Sequence, residues 1–163
     1  MDKILVAVDD TKGSLAVIEV LHNLLGDCLN NGCAPRSLIL LYVQKLEGPS
    51  VMTDLLLSVS EMETLKESVQ ETDYQKHLDQ KAEKVLTYFK DLLEEHGFSG
   101  VVPMVREGHP AEEILQAAKE NDVDMVIIGS RGKRLHNLWM GSISREVANN
   151  APMAVLIARN QSV

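Results

Sequence analysis

Cysteine is scarce in this chain: Cys28 and Cys33 are the only two, and their spacing matches no zinc-ribbon pair. A disulfide framework or thiolate metal centre is therefore not expected, and Cys28 reads as packing on a helix face. Basic residues are also in deficit, with Lys+Arg 16 against Asp+Glu 24 and a net charge of -8. That balance argues against nonspecific nucleic-acid binding, which needs a basic face, and against an anionic membrane surface. Long apolar runs are missing, so nothing here is long enough to cross a bilayer. No signal peptide is visible, because Asp2 and Lys3 lead straight into an apolar strand, so the cytoplasm is the expected location. Aromatics make up only 4% of the chain, and Tyr74, Tyr88 and Phe89 read as packing residues rather than a base-stacking platform. What is present is ordinary for a globular protein: 45% hydrophobic and 25% charged residues in a chain of 163. That length predicts one domain over 1–163 with a substantial core.

Taken in order, residues 3–8 (KILVAV) read as a strand and 9–14 as a polar turn. A helix is expected over about 14–31, with Leu15, Ile18, Leu21, Leu25, Cys28 and Leu29 on its apolar face and Asn31-Gly32 as the stop. Residues 37–43 read as a second strand. Residues 44–72 are the least legible; Gly48-Pro49-Ser50 breaks the chain, and 51–69 reads as a variable surface helix. Leu55-Leu56-Leu57 in that stretch offers a lid or an interface as the other reading. A longer helix over 72–95 carries Leu78, Val85, Leu86, Phe89, Leu92 and Leu93 as its stripe and ends at His96-Gly97. Then come a strand over 100–105, a turn at Arg106-Glu107-Gly108, and a helix over 111–121 with Pro110 in its first turn. Strands over 125–128 and 153–158 flank a last helix opened by Gly141-Ser142. Five strands alternating with helical segments predict an α/β fold: an open three-layer α/β/α sandwich on a five-stranded, mostly parallel sheet.

The stretch that carries chemistry is 124–151. Met125-Val126-Ile127-Ile128 is a short buried strand, Gly129 ends it, and Gly132 follows at G-x-x-G spacing. After eight intervening residues Gly141-Ser142 begins a helix. Glycines admit an anion close to the backbone, successive amides can form a nest, and a helix start adds unpaired N–H groups and a positive dipole end. Arg131, Lys133, Arg134 and Arg145 cluster around this turn.

This pattern resembles the ATP-binding subgroup of the universal stress protein family, whose motif is G-x-x-G, nine residues, then G-[S/T]. The chain is one residue short, and alignment back from Gly141 puts the gap just after Gly132. The opening strand ending in Val8-Asp9, the Leu41-Tyr42-Val43 end of strand two, and Gly108-His109-Pro110-Ala111 with Ile114 also resemble family signatures. The family often has glycine where this chain has Asp10 and serine where it has Thr11. The resemblance covers nearly the whole chain and implies a Rossmann-like sheet of order 3-2-1-4-5.

The resemblance also implies a binding site. Ala7, Val8 and Asp9 match positions bordering the adenosine, Val43 a position contacting the adenine, Ile128, Gly129, Arg131 and Gly132 the ribose-phosphate turn, and Gly141, Ser142, Ile143 and Ser144 the phosphate-binding helix start. Asp9 alone would also suit an Asx turn, and Ser142 and Ser144 a helix cap. His22, His77 and His96 fall on helices, and His109 and His136 in loops; none has the spacing of a metal site or catalytic dyad. The implied function is an ATP-binding regulatory module of the stress response, with magnesium, acting as a homodimer through the last strand, residues 154–158. The rivals are a homodimeric interaction module that binds no nucleotide, and a slow ATPase or other nucleotide-using enzyme. No clear acid besides Asp9 is placed for phosphoryl transfer.

Overall fold

A computed structural model describes residues 2–30, 35–45, 73–130 and 140–159. Among the described residues, nine elements run in chain order: β1 Lys3–Val8, α1 Lys12–Asn30, β2 Ser37–Gln44, α2 Asp73–Glu95, β3 Val101–Glu107, α3 Pro110–Glu120, β4 Met125–Gly129, α4 Ser142–Asn150 and β5 Ala154–Ala158. The strands form one parallel sheet of order β3-β2-β1-β4-β5, as the resemblance implied.

Two apolar layers cover the sheet, and the two-residue strand period sorts side chains between them. Ile4, Val6 and Val8 of β1 and Leu38 and Leu40 of β2 join α1 and α2 on one face. Leu5 and Ala7, with Ile39 and Leu41, join α3 and Val147 of α4 on the other. Strands buried on both faces need continuous apolar runs, which is what β1 and β2 carry.

The helices follow the expected stripes with one rotation. In α1 the buried line is Ser14, Ala16, Val17, Ile18, Leu21 and Leu25, with Cys28 and Leu29 packed beside it. Leu15, expected on that line, is 37% exposed, because Ala16 and Val17 turn inward and carry it off the sheet. In α2, Ala82, Leu86, Phe89 and Leu93 are buried, while Tyr88, edge-on to Phe89, is 55% exposed, contrary to its expected packing role. Gly97, at φ +88°, lets the chain leave α2; the Phe98 N–H donates to the Leu93 carbonyl, and both side chains are buried. Arg106 and Glu107 differ from the expected turn: they extend β3 in register with Val43 and Gln44, and the turn falls on Gly108. His22 and His77 are exposed, whereas His96 is half-buried, edge-on to His22, with Nδ1 2.8 Å from the Leu92 carbonyl.

Asp124 fastens the N-terminus. Its Oδ2 accepts the backbone N–H groups of Asp2 at 2.6 Å and Lys3 at 3.0 Å. These two bonds, Lys3 first, hold its carboxyl below the usual carboxylate range. A depressed folded pKa contributes stability above the unfolded value and loses it as pH falls through the folded one. Asp124→Asn is therefore expected to melt below wild type at neutral pH, with the gap closing in acid; thermal melts across the acid range check this.

Candidate functional site

The carboxyl ends of β1 and β4 meet at the point where the strand order reverses, the usual ligand position in open α/β sheets. A cleft of about 610 Å³ opens there. It brings together Ala7, Val8, Asp9, Val43, Ile128, Gly129, Gly141, Ser142, Ile143 and Ser144, ten of the twelve residues singled out from sequence. Arg131 and Gly132, with Lys133, Arg134, His136, Cys33 and residues 46–72, lie outside the described residues.

Asp9 shapes the floor. Its Oδ1 accepts the Thr11 N–H at 3.0 Å, the Thr11 hydroxyl at 2.5 Å and the Ser14 hydroxyl at 2.6 Å. Its own N–H donates to Ser14 Oγ at 2.8 Å. This is the Asx turn that the sequence also allowed, and it starts α1.

Gly129 faces the start of that helix. A Cβ built on it would lie 2.7 Å from the Gly13 carbonyl oxygen, so its bare backbone serves close packing of β4 on α1. Ser130 then ties three pieces together. Its N–H donates to the Ala158 carbonyl at the end of β5, and its carbonyl accepts the Gly141 N–H at 2.6 Å. Ser144 is 2% exposed and gives its hydroxyl to the Gly141 and Ser130 carbonyls, at 3.1 and 3.4 Å. Its role in this arrangement is to hold the helix start against the strand end.

Besides α1, two helices begin at the cleft. Gly141 is the N-cap of α4 and His109 that of α3, and neither start has a side-chain cap hydrogen bond. Helical geometry leaves the first N–H groups of each without an intrahelical acceptor. α3 carries Glu112 and Glu113 in its first turn, whereas α4 carries no acid there, so α4 is the better anion seat. Exposed Ser142 stands at its first position. His109, beside Pro110 at the rim, lies 3.8 Å from Glu146 of α4.

The other wall holds residues that the sequence did not single out. Lys81 of α2 pairs with Asp10, Nζ to Oδ2 at 2.9 Å, and also meets the hydroxyl of Tyr42. The bond to Asp10 raises the Lys81 pKa, and burial raises that of Tyr42. Lys81 flanks the apolar stripe of α2, where a lysine looks like any solvated charge. Asp10, standing where the family often has glycine, was the one visible signal. Among the described residues, no three His, Cys, Asp or Glu side chains converge as a metal site. No described helix is long and apolar enough to cross a membrane.

The universal stress protein family model matches residues 1–159. A universal stress protein of Methanocaldococcus jannaschii is 32% identical over 111 residues, 66% of each chain. The solved structure of that protein superposes with a TM-score of 0.74 at 23% identity, covering 99% of this chain and 98% of the other. An Arabidopsis thaliana family protein with AMP bound gives 0.63 at 18% identity, covering 99% and 94%. A universal stress protein in complex with cAMP gives 0.59 at 16% identity, covering 96% and 95%. Other curated relatives are matched over about half their length or less, 38% and 51% in two of them. With a family match over nearly all its length and the order β3-β2-β1-β4-β5, this chain belongs to the universal stress protein family.

Proposed function

We propose that the chain is an adenine-nucleotide-binding regulatory protein of the stress response, with ATP and its magnesium as ligand and no catalytic role. The observation that carries this is the helix start of α4. It is free of side-chain caps and of acids, and it opens into the same cleft as Val43 and the end of β1. Such a start seats phosphate, and Val43, Leu41, Pro110 and Ile114 give the cleft an apolar wall for a base. The relatives bound to AMP and cAMP support the same ligand class. Magnesium would arrive on the triphosphate, as it usually does when substrate phosphates supply part of its ligands.

The working unit is a homodimer paired through β5 in the cytoplasm. Of the two sheet edges, β3 carries Pro103, which has no N–H to give a neighbouring strand. The sequence of β5, Ala-Val-Leu-Ile-Ala, has no such block, and an apolar edge invites pairing.

The test is mass spectrometry of nucleotide carried through purification of wild type and Gly132→Val. Wild type should carry an adenine nucleotide. The variant, whose side chain would bar close backbone approach, should carry none at an unchanged melting temperature. Equal loading of both proteins would remove the glycine turn from this reading.

A further inference from the structure

The sheet order places β1 between β2 and β4. Strands sit about 4.8 Å apart, so β2 to β4 spans roughly 10 Å. That is about the reach of a nucleotide from base to first phosphate. The placement of the sugar rests on the nucleotide function proposed for this cleft. With the base against Val43 and the phosphate at the start of α4, the sugar falls over the end of β1. Two carboxylates stand just past that end, Asp9 and Asp10.

They are engaged differently. Asp9 gathers three donors of its own turn on Oδ1. Asp10 reaches across to α2 and meets the Lys81 ammonium at 2.9 Å. The Lys81 side chain is 48% exposed, and both partners line the cleft beside Tyr42. We propose that the Asp10–Lys81 pair reads the sugar hydroxyls of the bound nucleotide, while Asp9 serves as the residue that shapes the turn.

The chemistry matches on both sides. Each hydroxyl of a ribose donates one hydrogen and accepts others, a carboxylate accepts, and an ammonium donates. An ammonium has three N–H groups; Asp10 takes one, and a sugar oxygen takes another. The pair draws its members from the β1–α1 loop and from α2, so a bound ribose would also bridge those two elements. Exposed ion pairs contribute little to stability, so removing this one leaves the fold to report cleanly.

Titration calorimetry with AMP and 2′-deoxy-AMP tests the assignment in wild type, Asp10→Asn, Lys81→Met and Asp9→Asn, with a thermal melt of each. Wild type should prefer AMP by about tenfold or more, since a polar site rejects an analogue lacking its partner. Asp10→Asn and Lys81→Met should bring the two affinities together at unchanged melting temperature, while Asp9→Asn should lower the melting temperature. Equal affinities in wild type, or a preference that survives in both Asp10→Asn and Lys81→Met, would overturn the sugar assignment alone. Failure of wild type to bind either compound would overturn the nucleotide reading and this assignment with it.

Discussion

Gly129→Ala will cost the protein about 1–3 kcal/mol of stability, the usual range for forcing an extra carbon into a packed site. At this chain length each kcal/mol is roughly 2–4 °C of melting temperature. The reason is geometric. The new Cβ would stand 2.7 Å from the Gly13 carbonyl oxygen and 2.8 Å from its carbon, and both are backbone atoms that no rotamer change can move aside. Relief requires β4 and α1 to separate, and the floor of the cleft lies between them. Gly26→Ala is the matched control. Its Cβ would meet only the edge of the His22 ring at 3.7 Å, an ordinary contact inside α1. Alanine in a helix interior gains about 0.5–1 kcal/mol over glycine, so this variant should melt above wild type. Thermal melts of both variants check the pair; a Gly129→Ala protein as stable as wild type would show that the two backbones are not in contact.

Ser142→Pro should lower nucleotide affinity by roughly 10- to 100-fold while the fold stays intact, because hydrogen bonds to charged groups contribute about 1.5–3 kcal/mol. Proline at the first helical position is well tolerated, since the N–H it lacks has no acceptor within the helix. The preceding residue must be extended, and Gly141 already is, at φ -69° and ψ 161°. The substitution thus deletes one donor and one hydroxyl at the cleft without disturbing α4. Circular dichroism should match wild type, and calorimetry should show the loss. Unchanged affinity would mean that phosphate does not sit on this helix start.

Fold and site were legible to different depths. The strand order came from the family resemblance, while the strands themselves came from apolar runs such as Ile4–Val8, whose double burial requires them. Helix faces were readable to within one rotation: Leu15 went to the wrong side because Ala16 and Val17 compete for the sheet with equal local claim. The end of β3 was missed since Arg106-Glu107 looks like a polar turn, yet pairing with Val43 and Gln44 holds it extended, and Arg106 finds Glu113 and Glu120 on α3.

At the site, glycine spacing and the Asp9 position pointed to residues that line one cleft. What spacing could not show was how each residue is used. Asp9 as a turn organiser, Gly129 as a packing contact and Ser144 as a buried clasp each depend on partners distant in sequence or on close backbone approach. Lys81 was invisible for the same reason: only the placement of α2 over the ends of β1 and β2 brings it to Asp10 and Tyr42.

On the function proposed above, this cleft takes an adenine nucleotide with a loop of eight residues between Gly132 and Gly141. Isothermal titration of dialysed protein with ATP, with and without magnesium, tests it most directly. Saturable binding, weakened in Ser142→Pro, is the predicted result. No heat of binding up to millimolar ATP would contradict the claim and favour a dimeric interaction module in which the shortened loop no longer seats phosphate.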